Sequence, residues 1–250
     1  MKRLLLISAL WLCGCLRWLP APTPMPQEED LLVARGKARC LVVLLPGAGD
    51  RSPIFRDEGV LAKIRKTGLS VDLISADASP GYYANGVMPL RLEKDVIAPA
   101  RTRGYEQIWL VGISMGGFGT FHYASQYPAH LDGIFAMSPW LGREETIAEI
   151  IAAGGLAMWK PPAVAALDDE TFAPQTWGFV ARVTSGESLG PEIYLGYGAS
   201  DTRVGSPQFL ADVLPKDHVY RASGGHEWAV WRDVLDQFLA GSVLKQRCAP

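Results

Sequence analysis

Two hydrophobic rhythms run along the chain. Cys40-Leu-Val-Val-Leu-Leu45 is a continuous β-prone apolar run closed by Pro46-Gly47-Ala48-Gly49. A strand without polar alternation is one buried on both faces, as in a parallel sheet. The same pattern predicts strands at Leu69–Ser75, Gln107–Ile113, Leu131–Met137 and Glu192–Tyr197, with a shorter one at His218–Arg221. Between them, apolar residues at helical spacing predict helices at Ile54–Lys66, Pro89–Arg103, Met115–Tyr127, Pro207–Val213 and Glu227–Leu239. Gly68 stops the first and Pro128 follows the third. Strands alternating with helices imply βαβ units, a mostly parallel sheet and right-handed crossovers, an α/β fold. The stretch Gly142–Ser188 breaks the rhythm: it carries Pro161-Pro162 and no clear strand. It reads as an insertion between two strands, at about 142–188, forming a small cap over the carboxyl edge of the sheet. Trp159 and Trp177 lie within it and Trp140 at its entrance, as pocket lining or as the cap's own core.

The first thirty residues obey neither rhythm. Lys2 and Arg3 precede the apolar stretch Leu4–Leu12, too short to span a bilayer, and Cys13-Gly14-Cys15 follows. A positive segment, a brief apolar core and small residues read as a secretory signal over residues 1–14. Leu12, Gly14 and Cys15 resemble a bacterial lipobox, with Cys15 as the lipid-accepting residue and Cys13 a departure from the usual small residue. The expectation is an exported chain, anchored in the cell envelope through Cys15, the alternative being a soluble periplasmic or secreted form. Pro20-Ala-Pro-Thr-Pro-Met-Pro26 then predicts a stiff polyproline spacer, so residues 15–28 read as a tether and 29–250 as the folded domain. In an oxidising compartment the two remaining cysteines, Cys40 and Cys248, are candidates for a disulfide.

Composition narrows the function. The 24 Lys and Arg nearly balance 26 Asp and Glu, and no basic run supplies the footprint that nucleic acid requires. What remains is local chemistry. Gly112-Ile113-Ser114-Met115-Gly116 is a G-x-S-x-G sequence placed directly after one predicted strand and opening a predicted helix. That context makes Ser114 a candidate nucleophile on a tight strand-to-helix turn, where Cβ atoms at 112 and 116 would collide with backbone. A serine hydroxyl needs a base. Of four histidines, His226 lies in Ser223-Gly-Gly-His-Glu-Trp228, between the final strand and the final helix, whereas His122 and His130 read as structural or exposed and His218 falls at a strand start after Asp217. The base needs a carboxylate to hold its tautomer. Asp201, in the loop after Glu192–Tyr197, is better placed at a strand's carboxyl end than Asp212 or Asp217. Oxyanion donors are expected from the Met115 amide and from the Pro46–Gly49 loop, through Ala48 or, nearly as well placed, Gly49.

From about Cys40 to Ala240 the sequence resembles the α/β-hydrolases, close to the esterase and depolymerase-like branch with a Gly-x-Ser-Met-Gly-Gly-Phe-Gly elbow. Pro46 stands where that family usually has a His before the loop glycine, which leaves the backbone donors intact. The order Ser114, Asp201, His226 matches the family's order. The resemblance implies a serine hydrolase cleaving carboxylic esters through an acyl-enzyme, with no metal or organic cofactor. An acyltransferase, thioesterase or serine peptidase would use the same triad, and a binding scaffold would leave it unused.

Overall fold

The computed structural model describes residues 19–32, 38–142, 144–162, 172–202 and 206–249. The expected signal segment and Cys15 lie outside them. Seven strands form one sheet: β1 (Gln27–Asp30), β2 (Cys40–Leu45), β3 (Val71–Ala76), β4 (Gln107–Ile113), β5 (Gly133–Met137), β6 (Glu192–Gly198) and β7 (Val219–Ala222). Their order is β1-β3-β2-β4-β5-β6-β7. All neighbours are parallel except β1, which runs antiparallel to β3 with Gln27 opposite Ala76. Strands β2, β3 and β5 are buried at every position, because helices cover both faces.

The helices are α1 (Ile54–Asp57), α2 (Val60–Lys66), α3 (Pro80–Ala84), α4 (Met88–Leu92), α5 (Ala98–Arg103), α6 (Met115–Gln126), α7 (Glu144–Ala152), α8 (Phe172–Thr184), α9 (Ser206–Val213), α10 (Trp228–Ala240) and α11 (Val243–Arg247). The helix expected over Ile54–Lys66 is two, broken where Gly59 adopts a left-handed φ of 74°. The helix expected over Pro89–Arg103 begins at Met88 and passes through a π-helical turn at Glu93–Ile97 between α4 and α5. That turn ends two residues before Pro99, whose ring would crowd the carbonyl four residues back in a regular helix.

Two segment boundaries are corrected. The stretch before Glu29 is not a free spacer down to Glu28. Residues from Leu19 onward are docked: Met25 is buried, its amide donates to Asp95 at 2.8 Å, and the Tyr82 hydroxyl donates to the Pro22 carbonyl at 2.5 Å. Gln27–Asp30 is the edge strand itself. Three arginines from elsewhere in the chain neutralise its acids: Arg56 on Glu28, Arg103 on Glu29 and Arg65 on Asp30. Nor is all of 142–188 a cap. α8 is the crossover helix from β5 to β6; it packs on α6 and buries Trp177 and Phe179 in the main core, and Trp159 is buried with them. Only the excursion before α8 remains as an addition to the sheet's helical layer.

At the amino-terminal end of β2, Cys40 and Cys248 form a disulfide with their Cα atoms 5.5 Å apart. The Ser70 amide donates to the Cys248 carbonyl at 2.8 Å, so the C-terminus is held there by backbone as well. Replacing both cysteines by serine is expected to lower unfolding stability by about 2–5 kcal/mol, because the bridge restrains a very long loop in the unfolded chain. Urea denaturation of both proteins without reductant measures this. Equal midpoints and slopes would show that the bridge contributes nothing, and activity per folded molecule should not change.

Candidate active site

The carboxyl edge of the sheet gathers the chemistry. Ser114 follows β4 directly, with φ 53° and ψ −111°, a conformation that side chains rarely adopt. The turn is enforced from both sides. The Ser114 amide donates to Met137 O of the neighbouring strand at 2.8 Å, and its carbonyl accepts from Phe118 at 3.0 Å. A Cβ on Gly112 would come within 2.1 Å of Gly116 O, and one on Gly116 within 2.1 Å of Leu45 O. The elbow therefore exists only with these glycines.

Asp201 lies just past β6 in a loop that packs against the loop after β7: the amides of Ala199 and Ser200 donate to the carbonyls of Ala222 and Gly224 at 2.8 Å. His226 sits in that second loop. Its Nδ1 is 2.9 Å from Asp201 Oδ2 and its Nε2 is 2.9 Å from Ser114 Oγ. The three residues singled out by sequence thus come together in one hydrogen-bonded chain, with the Asp201 side chain 1% exposed and the His226 side chain 10%. A carboxylate shielded from water orients and supports an imidazole, which in turn can take a hydroxyl proton. The other histidines are occupied elsewhere: His130 with Glu93, His218 stacked on Tyr194, and His122 stacked on Phe118.

The loop after β2 closes over the same point. A Cβ at Gly47 would lie 3.7 Å from Ser114 Cβ, and Gly47 O accepts from the Asp50 amide in a tight turn. Ala48 and Gly49 are exposed at its tip, Gly49 with φ 89°. Met115, the other expected donor, is the first residue of α6.

Sequence reasoning missed the supports. Asp77, 3% exposed, accepts from Arg51 Nε at 2.8 Å and from the Ser52 amide at 3.3 Å, fastening the far side of the Gly47–Ser52 loop. Trp231 packs edge-to-face with His226, centroids 5.0 Å apart, and its Nε1 donates to Ser138 Oγ. The signal for Asp77 was weak but present, a carboxylate just past a strand's carboxyl end; for Trp231 there was none. Because a displacement of ~1 Å at a reacting centre costs up to ~10²-fold, Arg51→Ala is expected to lower kcat roughly tenfold with KM little changed. Steady-state kinetics checks it, and an unchanged kcat would mean the loop holds its shape without this ion pair.

An aromatic wall borders Ser114. Trp140, 39% exposed, donates its amide to Ser114 O at 3.4 Å, and its ring packs on Phe172, which packs on Phe118. Behind them burial lowers the His122 pKa to about 4. An ordinary histidine titrates near 6.5, so the unfolded chain binds a proton there between about pH 6.5 and 4 that the folded chain refuses. Stability is therefore expected to fall as pH drops through that window, by up to about 3 kcal/mol from this group, and His122→Leu should flatten the decline. Denaturation midpoints across the range decide it; parallel profiles for both proteins would exonerate His122. Among the described residues no group of three or more His, Cys, Asp or Glu side chains is placed to hold a metal ion.

A family model for esterases matches residues 96–241, more than half of the chain and a span containing Ser114, Asp201 and His226. The chain belongs to the Esterase family. Membership makes it a carboxylic-ester hydrolase rather than a binding scaffold. No curated protein sequence matches this esterase. Solved structures do, at low identity, and they carry the α/β-hydrolase fold. A ferulic acid esterase is 13% identical, with 89% of this chain and 98% of that one covered and a TM-score of 0.60. The S-formylglutathione hydrolase of Staphylococcus aureus is 12% identical over 88% and 92%, with a TM-score of 0.59. That of Agrobacterium tumefaciens is 13% identical over 90% of each chain, also with a TM-score of 0.59.

Proposed function

We propose that this esterase works by a two-step acyl transfer on Ser114. His226 takes the hydroxyl proton as Ser114 Oγ attacks the ester carbonyl, and Asp201 stabilises the resulting imidazolium. The Met115 and Ala48 amides hold the oxyanion of the tetrahedral intermediate. His226 then gives its proton to the departing alcohol, leaving the acyl group on Ser114. Water, deprotonated by the same ring, releases the acid and restores the enzyme. The observation that carries this reading is the unbroken chain from Asp201 Oδ2 through both nitrogens of His226 to Ser114 Oγ. The wall of Trp140, Phe172 and Phe118 favours a substrate with an apolar or aromatic group beside the scissile bond. A fluorophosphonate probe tests the assignment. It should form one adduct, on the peptide containing Ser114, with activity lost in step. An adduct elsewhere, or full activity after complete labelling, would refute it.

We propose further that the mature chain begins at Cys15 and is held in the cell envelope by lipid on that residue. The lipobox-like Leu12–Cys15 supports this, and the Cys40–Cys248 disulfide is of the kind that persists in oxidising compartments outside the cytosol. Cys15→Ala should move the protein from the detergent phase to the aqueous phase. Wild-type protein found in the aqueous phase would refute the anchor.

A further inference from the structure

The chain enters the sheet backwards, and this has a consequence for where an anchored enzyme points. Strand β1 is antiparallel to β3, with its first residue, Gln27, opposite Ala76 at the carboxyl end of β3. Leu19–Pro26 therefore enter from the carboxyl edge, the edge on which Ser114, Asp201 and His226 follow β4, β6 and β7. The entering segment does not wander from that edge. Leu19 O accepts from Asn85 Nδ2 at 3.0 Å, and a Cβ on Gly81 would strike Pro20 O at 2.1 Å, so the backbone lies directly on α3. From α3 a run of contacts reaches the nucleophile: Tyr83 against Phe118 at 6.0 Å, Phe118 against Trp140 at 6.3 Å, and Trp140 to the Ser114 carbonyl. β3 and β4 are two strand positions apart in the sheet, about 10 Å.

Only Leu16, Arg17 and Trp18 separate Cys15 from docked Leu19, a reach of at most about 14 Å when fully extended. We propose that the enzyme is mounted on the bilayer with the catalytic edge of its sheet turned toward lipid, and that it acts on esters presented at that surface. This rests on the ester hydrolysis and the Cys15 anchor put forward above. Of seven large apolar residues left exposed among the described residues, five belong to segments that leave the carboxyl edge: Leu19, Leu90, Trp140, Ile151 and Met158. Leu90 stands at the start of the α4–α5 run, which crosses from that edge to the beginning of β4; Ile151 and Met158 lie on the excursion between β5 and α8. The short connection to Cys15 selects the membrane, because a reach of at most about 14 Å keeps the docked Leu19 close to the surface that would hold the lipid.

The test uses the full-length lipidated protein in phosphatidylcholine–phosphatidylglycerol vesicles containing a photoreactive phospholipid. Crosslinks are expected on peptides carrying Leu19, Leu90 or Ile151–Met158, and not on those carrying Leu31, Leu189 or Lys245. A crosslink pattern centred on the latter would overturn the proposal. A variant with a flexible twenty-residue Gly/Ser insert between Trp18 and Leu19 keeps the anchor but frees the domain. It should hydrolyse a soluble short-chain aryl ester within about twofold of wild type, yet a vesicle-borne long-chain ester at least fivefold more slowly. Equal rates on the vesicle-borne ester would also overturn it. Wild-type protein that floats free of vesicles would sink the anchor, and one that spares the soluble ester would sink the hydrolase reading, so the three failures are separable.

Discussion

Ser114→Ala is expected to lower kcat toward short-chain aryl esters by roughly a millionfold while leaving the fold intact, a loss of the size seen when a nucleophile of this kind is removed. The reason is local. Alanine keeps the Cβ, so the elbow at φ 53° is no more strained than before, and the amide hydrogen bond to Met137 O remains. Only the oxygen 2.9 Å from His226 Nε2 is lost, and with it the proposed covalent step. Residual turnover should come from binding and the oxyanion donors alone. Circular dichroism and unfolding midpoints should match wild type, and kinetics on esters of rising chain length should show the loss throughout. Comparable hydrolysis by both proteins would mean that another group attacks the ester, and the mechanism would fall.

The second large effect is expected from Asp201→Asn: a drop in kcat of about four orders of magnitude with KM within a few-fold. The substitution is nearly isosteric but offers an amide where His226 Nδ1 finds a carboxylate. The ring is then held in the wrong tautomer, and the imidazolium loses its counter-charge. Because the three groups act as one unit, the double variant Ser114→Ala with Asp201→Asn should be no slower than Ser114→Ala alone. Additive losses would show that Asp201 acts independently of the serine, through the shape of its loop.

Much of this architecture is written in short stretches of sequence. Strands β2 and β4 were legible to the residue because both are continuous apolar runs that end in glycine-bearing turns. The elbow was legible because contacts of 2.1 Å leave no alternative to glycine at 112 and 116. Asp201 and His226 could be named because topology fixes which loops meet at a sheet edge. The misses have physical causes too. Gln27-Glu-Glu-Asp has no strand propensity of its own; it is held by β3 and by arginines 28 to 74 residues distant. α8 carries Pro174 and Gly178, residue types that disfavour a helix interior. Pro174 sits in the first turn, where it is tolerated, and Gly178 admits Pro161 against the helix. The docking of Leu19–Pro26 depends on Gly81, Tyr82 and Asn85, some sixty residues away, and no local pattern announces it.

The bridge from Cys40 to Cys248 closes strands β2 to β7, with the helices between them, into a covalent ring. A protease that cuts once inside that ring, for instance at the exposed Ala153 and Gly154 after α7, leaves one molecule rather than two. Neither fragment can diffuse away, and the docking of one part on the other stays intramolecular at a high effective concentration. A nicked enzyme should therefore stay assembled and working, migrating as a single band until the disulfide is reduced.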